Sequence, residues 1–200
     1  MKKTSQKTYD RILNEGLNML TVTGLSGVTF GALAEALGMS KSGLFAHFRS
    51  KDDIQLRLLE HADSLAASEV IAPAMLEPPG LPRLDALMRN WLGWTRRIGL
   101  RGGCPIASAF FELDDLEGGV REHVRKAEAG AQALLSSLVS EAIAEGTLRN
   151  DVDVDQMVWE LRSIYLGHHV SSRFLYEPLA DERAMFAFKA LVDRYRRSPE

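Results

Sequence analysis

Apolar residues recur along this chain at spacings of three and four, and sustained alternation of the kind that marks a half-buried strand is missing. The pattern predicts a first helix over about residues 5–23, with Ile12, Leu13, Leu17 and Leu20 on one stripe. Gly24, which tolerates positive φ, is placed to stop it. Thr29 is placed to cap a second helix whose Phe30, Leu33, Ala34 and Leu37 turn inward and which Gly38 closes. Ser40 is placed to cap a short third helix reaching about His47. Ser50 then opens a fourth, over about residues 51–72, with Asp52 and Asp53 in the first turn, where helix dipoles favour negative charge.

The proline-dense stretch 73–82 reads as a linker. Five more helices are expected beyond it, at about 83–98, 105–116, 118–146, 154–176 and 181–196. Gly102-Gly103, Gly146 and Pro178 punctuate them. No repeat of fixed period is visible. The predicted fold is all-α: a three-helix domain over residues 1–50 containing a helix-turn-helix, then a helical domain over 51–200 in which 51–72 is the connecting helix.

Composition narrows the function classes. With 46% hydrophobic and 26% charged residues the chain is ordinary for a soluble globular protein. Charges interrupt every apolar run before it reaches a membrane span of about 20 residues. Basic Met1-Lys2-Lys3 is followed by polar residues, so the apolar core of a signal peptide is missing. One cysteine, Cys104, excludes an internal disulfide and suits a reducing compartment, so the expected location is cytoplasmic. The net charge of −3 divides unevenly. Residues 1–57 carry +3 and the remainder −6, as suits a head that meets a polyanion, although so small an asymmetry also arises by chance.

The informative segment is residues 29–51, TFGALAEALGMSKSGLFAHFRSK. Two short helices are joined by Gly38-Met39-Ser40, with apolar contacts on both sides of the turn. In a helix-turn-helix the first helix braces the second, whose outer face enters the major groove of DNA. A helix as short as the second is unstable alone and must be held by its neighbours. Leu44 and Phe48 are placed to dock it, leaving Lys41, Ser42, Gly43 and His47 outward.

In order and spacing this segment resembles the TetR family, whose pattern is met by Thr29, Leu33-Ala34, Gly38-Met39-Ser40, Gly43, Leu44-Phe45-Ala46-His47-Phe48 and Lys51. The resemblance is firm over roughly residues 8–57. It implies phosphate contacts from Thr29, Phe45, His47 and Lys51, and approach to phosphates and base edges by Ser40, Lys41, Ser42 and Gly43. Two positions depart from the pattern. Phe45 stands where a tyrosine is usual, removing a hydroxyl contact, and the glycine usual one position before Gly43 is Ser42.

The resemblance also implies a homodimer released from a double-stranded, palindromic DNA operator by a small-molecule effector bound in the C-terminal helical domain, most simply as a repressor. Candidate effector contacts are Trp91, Trp94, Cys104, Phe110, Phe111, Arg162, Tyr165 and His168, each of which also reads as ordinary core. Candidate dimer contacts are Leu161, Ile164, Tyr165, Phe188, Leu191, Val192 and Tyr195 on the last two helices. Cys104, before Pro105, sits at a helix start where peptide dipoles favour a thiolate, so it reads either as a buried structural thiol or as a sensor.

No metal or cofactor is expected. His168 and His169 diverge on a helix, and zinc-type spacing is missing. An enzyme is the rival reading, because Asp114-Asp115, Glu60-His61 and Glu122-His123 could do acid–base work. None of them shows the spacing of a nucleophile, a base and a group that orients the base.

Overall fold

A computed structural model describes residues 2–197, with side chains from Gln6 to Arg197. The helices in chain order are α1 (Lys2–Gly27), α2 (Phe30–Leu37), α3 (Lys41–Phe45), α4 (Lys51–Ala66), α5 (Ala72–Met75), α6 (Leu81–Trp91), α7 (Trp94–Arg97), α8 (Pro105–Leu113), α9 (Gly119–Ala144), α10 (Val154–Arg173) and α11 (Ala180–Tyr195). Among the described residues there is no strand, only an isolated bridge between Leu148 and Arg196. The all-α expectation holds, and no helix of the described residues is long and apolar enough to cross a membrane.

Local chemistry sets most boundaries. The side chains of Thr29, Ser40 and Ser50 accept from the backbone N–H of Ala32, Gly43 and Asp53, three residues on in each case. Gly38 closes α2 at φ 62°. Within α1, Gly24 has φ 72° and ψ −179°, a conformation essentially closed to side chains. It ends the regular helix where the sequence places the stop, and a last loose turn follows to Gly27.

Proline misleads at one place. The linker expected at 73–82 is shorter, because helical structure passes through a π-helical turn at Ala67–Ile71 into α5, which contains Pro73. Proline lacks a donor N–H and clashes with the turn before it, and the π-helical turn just before Pro73 is the kind of local adjustment that lets a helix run past such a residue. Pro82 lies in the first turn of α6, where that donor has no partner to lose. The irregular chain is confined to 76–80. The helix expected at 83–98 instead breaks at Leu92-Gly93, where Leu92 is extended and Gly93 has φ 67°.

The chain packs as two compact units. The first comprises Met1–Leu65 and Thr95–Ala127. Its core joins Ile12, Leu17 and Leu20 of α1, Leu33 of α2, Leu44 and Phe48 around α3, and Leu58 and Leu59 of α4, all at most 1% exposed. Ala109 of α8 belongs to the same core. The helix-turn-helix therefore does not stand alone after residue 50; α4 and α8 complete its interior.

The second unit comprises Ala66–Trp94 and Glu128–Glu200. Here Leu84 and Met88 of α6, Leu138 and Val139 of α9, Leu161 of α10 and Phe188 of α11 are buried. A cavity of about 240 Å³ between α6 and α11 is lined by Leu81, Asp85, Phe188 and Val192 among others.

Candidate nucleic-acid interface

The recognition helix α3 is only five residues long, and its placement comes from its neighbours. Leu44 is fully buried and Phe48 nearly so, with Tyr9 of α1 stacked on Phe48 at 5.7 Å between ring centroids. Phe45 stacks on Phe30 of α2 at 4.0 Å and 18° between planes, yet remains 56% exposed. The bracing helix thus grips one side of α3 and leaves the opposite side bare.

That bare side carries the residues singled out in the sequence. Thr29, Ser40, Lys41, Ser42, Phe45 and Lys51 are exposed, and Gly43 and His47 are half-buried. The hydroxyls of Ser40 and Ser42 lie 3.0 Å apart, so the first turn of α3 presents two coupled hydroxyls and one ammonium group. Small side chains there let a duplex approach the backbone. Lys51 is not fully available: its Nζ donates to the carbonyl oxygen of Ser26 at 3.2 Å. An ammonium has three donors, so that bond leaves two for a phosphate.

The sequence missed a second layer. Gln55 of α4, buried, donates through Nε2 to the carbonyl oxygen of Leu25 at 2.6 Å. Glu112 of α8 accepts from the backbone N–H groups of Leu25 and Ser26 at 3.0 and 3.1 Å. Along α1, Thr21 Oγ1 accepts from Gly102 N–H and Asn18 Oδ1 accepts from Arg101 N–H, both at 3.1 Å. Arg101 also pairs with Glu15 at 2.5 Å. Gln55 was visible in principle, as a polar residue set in the stripe Ile54, Leu58, Leu59, Ala62. The Glu112 contacts were not, since they span more than eighty residues.

The candidate acid–base residues are engaged structurally. His61 Nε2 lies 2.9 Å from Asn14 Oδ1, and burial pushes its pKa down, opposed by Asp10. His123 Nε2 lies 2.8 Å from Asp63 Oδ2. Burial raises the Asp63 carboxyl, and His123 opposes that. Glu122 pairs with Arg125, whose hydrogen bonds lower its pKa. Among the described residues no three metal-binding side chains gather.

The nominated effector residues fall into both units. Trp91 stacks on buried Tyr165 at 4.2 Å, Trp94 is buried, Arg162 pairs with Glu128, and His168 lies 2.7 Å from Asp181, all in the second unit. Cys104, Phe110 and Phe111 belong to the first unit. Cys104 is 8% exposed at the start of α8 without capping it through its side chain. Phe110 packs against the first unit's core, and Phe111 is 65% exposed. None of the eight lines the cavity between α6 and α11.

The dimer candidates are largely turned inward within the subunit. Leu161, Tyr165, Phe188, Leu191 and Val192 are buried inside their own subunit, and Ile164 and Tyr195 are half-buried. On an antiparallel helix pair the most regular apolar stripe marks the face turned to the subunit's own core. The outer face of α10 and α11 instead exposes Trp159, Val170 and Phe186, with Phe174 just past the end of α10.

What the first unit builds is a DNA-reading head of the helix-turn-helix kind, and the chain that carries it is a transcriptional regulator. The chain belongs to the TetR family of bacterial regulatory proteins: residues 12–58 match that family's N-terminal domain, and residues 80–188 match the tetracyclin repressor-like C-terminal domain. It is 26% identical over 165 residues to the HTH-type transcriptional repressor AcnR of Corynebacterium jeikeium, covering 78% of this chain and 76% of that protein. Its fold is similar to that of a TetR transcriptional regulator from Chloroflexus aurantiacus, with a TM-score of 0.86 over 99% of this chain and 100% of the other at 24% identity. It is also similar to AibR, solved in complex with isovaleryl coenzyme A and operator DNA, with a TM-score of 0.71 over 92% and 95% of the chains at 21% identity.

Proposed function

We propose that this regulator is a homodimeric repressor that binds a palindromic operator and is released from it by a small-molecule effector. The observation that carries the reading is the one-sided burial of α3, which leaves Ser40, Lys41 and Ser42 exposed, with half-buried Gly43 beside them, on a helix too short to stand alone. Ser40, Lys41, Ser42 and Gly43 contact base edges and phosphates, while Thr29, His47 and Lys51 contact phosphates alone and set the register, with the Phe45 ring packing beside them. Two copies joined through the outer faces of α10 and α11 present two such helices to inverted half-sites. Exposed Trp159, Val170, Phe174 and Phe186 support that face as the one covered. A regulator that reads the chromosome works in the bacterial cytoplasm.

The effector is taken up by the second unit, where the stacked Trp91–Tyr165 pair offers an apolar wall and Arg162, paired with Glu128, a polar anchor. That AibR was solved with both an acyl coenzyme A and its operator supports a link of this kind between ligand and DNA. The effector drives release by binding the DNA-incompetent arrangement more tightly, so operator DNA weakens its binding by the same factor.

The test begins with duplexes selected from a random-sequence pool by the wild-type protein. The selected sequence should be an inverted repeat. Lys41→Ala should weaken binding to every sequence and flatten the salt dependence by about one unit of slope. Lys41 is the cleaner probe, because Lys51 also holds Ser26. Selection of no sequence at all, or an unchanged slope in Lys41→Ala, refutes this assignment.

A further inference from the structure

We propose that Glu112 is a positioning residue for DNA reading: its carboxylate clasps the turn between α1 and α2 and so fixes the direction in which the helix-turn-helix leaves α1. The proposal rests on the DNA-reading function above and adds to it a residue more than sixty positions beyond the motif.

The turn begins at Gly24, where the backbone leaves the helical conformation. The next two N–H groups, of Leu25 and Ser26, are each accepted by one oxygen of the same carboxylate, Oε1 at 3.0 Å and Oε2 at 3.1 Å. From the other side Gln55 donates to the Leu25 carbonyl and Lys51 to the Ser26 carbonyl. All four backbone polar groups of these two residues are therefore held by side chains of α8 and α4. A carboxylate taking two N–H bonds is a charge-assisted pair of acceptors, stronger than neutral ones. Three residues after Ser26 stands Thr29, whose hydroxyl caps α2. A turn held at every polar group has one exit direction, and α2 and α3 follow it.

Gly24 and Glu112 fit as a pair. A Cβ added at Gly24 would lie 2.4 Å from Glu112 Oε1, so the carboxylate occupies the space that only glycine leaves open. The charge of Glu112 makes positioning separable from electrostatics. Removing a negative charge from a unit that meets a polyanion should by itself tighten DNA binding. Loss of positioning acts in the opposite direction.

The experiment uses the full-length protein as wild type, Glu112→Gln and Glu112→Ala, with the duplex selected by the wild type. Affinity at 25 °C should fall about tenfold in Glu112→Ala, equivalent to about 1.4 kcal/mol. It should fall less in Glu112→Gln, which keeps one acceptor oxygen. The salt slope should stay that of the wild type, because no phosphate contact is lost. Amide exchange should quicken at Leu25 and Ser26 while Leu58 and Leu59 in the core stay protected, which a general loss of stability would not produce. Affinity equal to or above wild type in either folded variant overturns the proposal, as do unchanged exchange rates at Leu25 and Ser26. A wild type that selects no duplex strikes the DNA-reading function instead, and the exchange rates then still decide whether the clasp exists.

Discussion

Each of the two units is held together internally by polar groups, and they are used in different ways. In the first, side chains reach across to backbone: Glu112, Gln55 and Lys51 to the turn after α1, Thr21 and Asn18 to the loop before α8, and Arg11 to the carbonyl of Leu37. In the second, side chains also reach backbone, Asn90 to the Val70 carbonyl and Glu141 to the Gly80 N–H, but more often charged side chains pair with each other across helices: Arg162 with Glu128, Arg194 with Glu160, Arg83 with Glu141 and His168 with Asp181. The first unit also has such pairs, Arg101 with Glu15 and His123 with Asp63, but its turn is held through the main chain. A bond to backbone fixes where the chain goes. A pair between two long side chains fixes only that two helices stay near each other, and it can re-form after a small slide. The contrast suits a head that must present one geometry to DNA and, under the function proposed above, a body that yields to an effector.

The largest effect that tests this contrast is expected from Gly24→Ala. The substitution forces a side chain into a glycine-only conformation, costing about 1–3 kcal/mol, and drives its Cβ into Glu112. Thermal melts should show the loss, and affinity for the selected duplex should fall with it. Arg162→Ala in the second unit should cost less, about 1 kcal/mol, because the pair it breaks is only partly buried. Urea unfolding measures that cost, and duplex affinity should not change. If Arg162→Ala weakens DNA binding as much as Gly24→Ala does, the division of labour between the units is gone.

Similar in size, and of opposite sign, is Phe45→Tyr. The ring is already stacked on Phe30 and exposed, so restoring a hydroxyl adds a phosphate contact without moving the helix. Affinity should rise by about 0.5–1.5 kcal/mol, read by anisotropy at fixed salt.

The smallest effect is expected from pH. Burial lowers the pKa of His61 in the first unit and of His169 in the second. Below about pH 6.5 the unfolded chain takes up protons that the folded chain resists, so stability is present above that pH and declines as pH falls toward the folded values. Asp10 opposes burial at His61, whereas Arg173 and His168 reinforce it at His169. Thermal melts at decreasing pH should therefore show His169→Gln removing more of the decline than His61→Gln. The reverse order would overturn this assignment of the two shifts.

How far the sequence could be read depended on the range of each interaction. The caps at Thr29, Ser40 and Ser50 act over three residues, and all three are where the pattern puts them. The stripe that docks α3 is equally local, with Leu44 and Phe48 buried as expected. Glu112 carried no such signal, because nothing in its own neighbourhood shows that its partners are two amides on a distant helix. For the dimer residues the limit is different: apolar periodicity identifies a buried face but not which neighbour buries it, and α10 and α11 bury theirs on each other and on α6. Pro73 shows a third limit, since a proline need not end a helix when a π-helical turn just before it absorbs the misfit.

All three tryptophans, Trp91, Trp94 and Trp159, lie in the second unit, and the reading head has none. Intrinsic emission from this protein is therefore a one-sided signal. Trp91 is quenchable by whatever disturbs its stack on Tyr165, Trp94 is shielded, and Trp159 is open to solvent on the outer face of α10. With tryptophan excited alone, leaving out Tyr9, and with DNA on the reading face proposed above, a spectral change on adding DNA does not come from contact with the duplex. It reports only what the head has passed on to the body, which makes the wild-type chain its own optical probe of coupling, with no label attached.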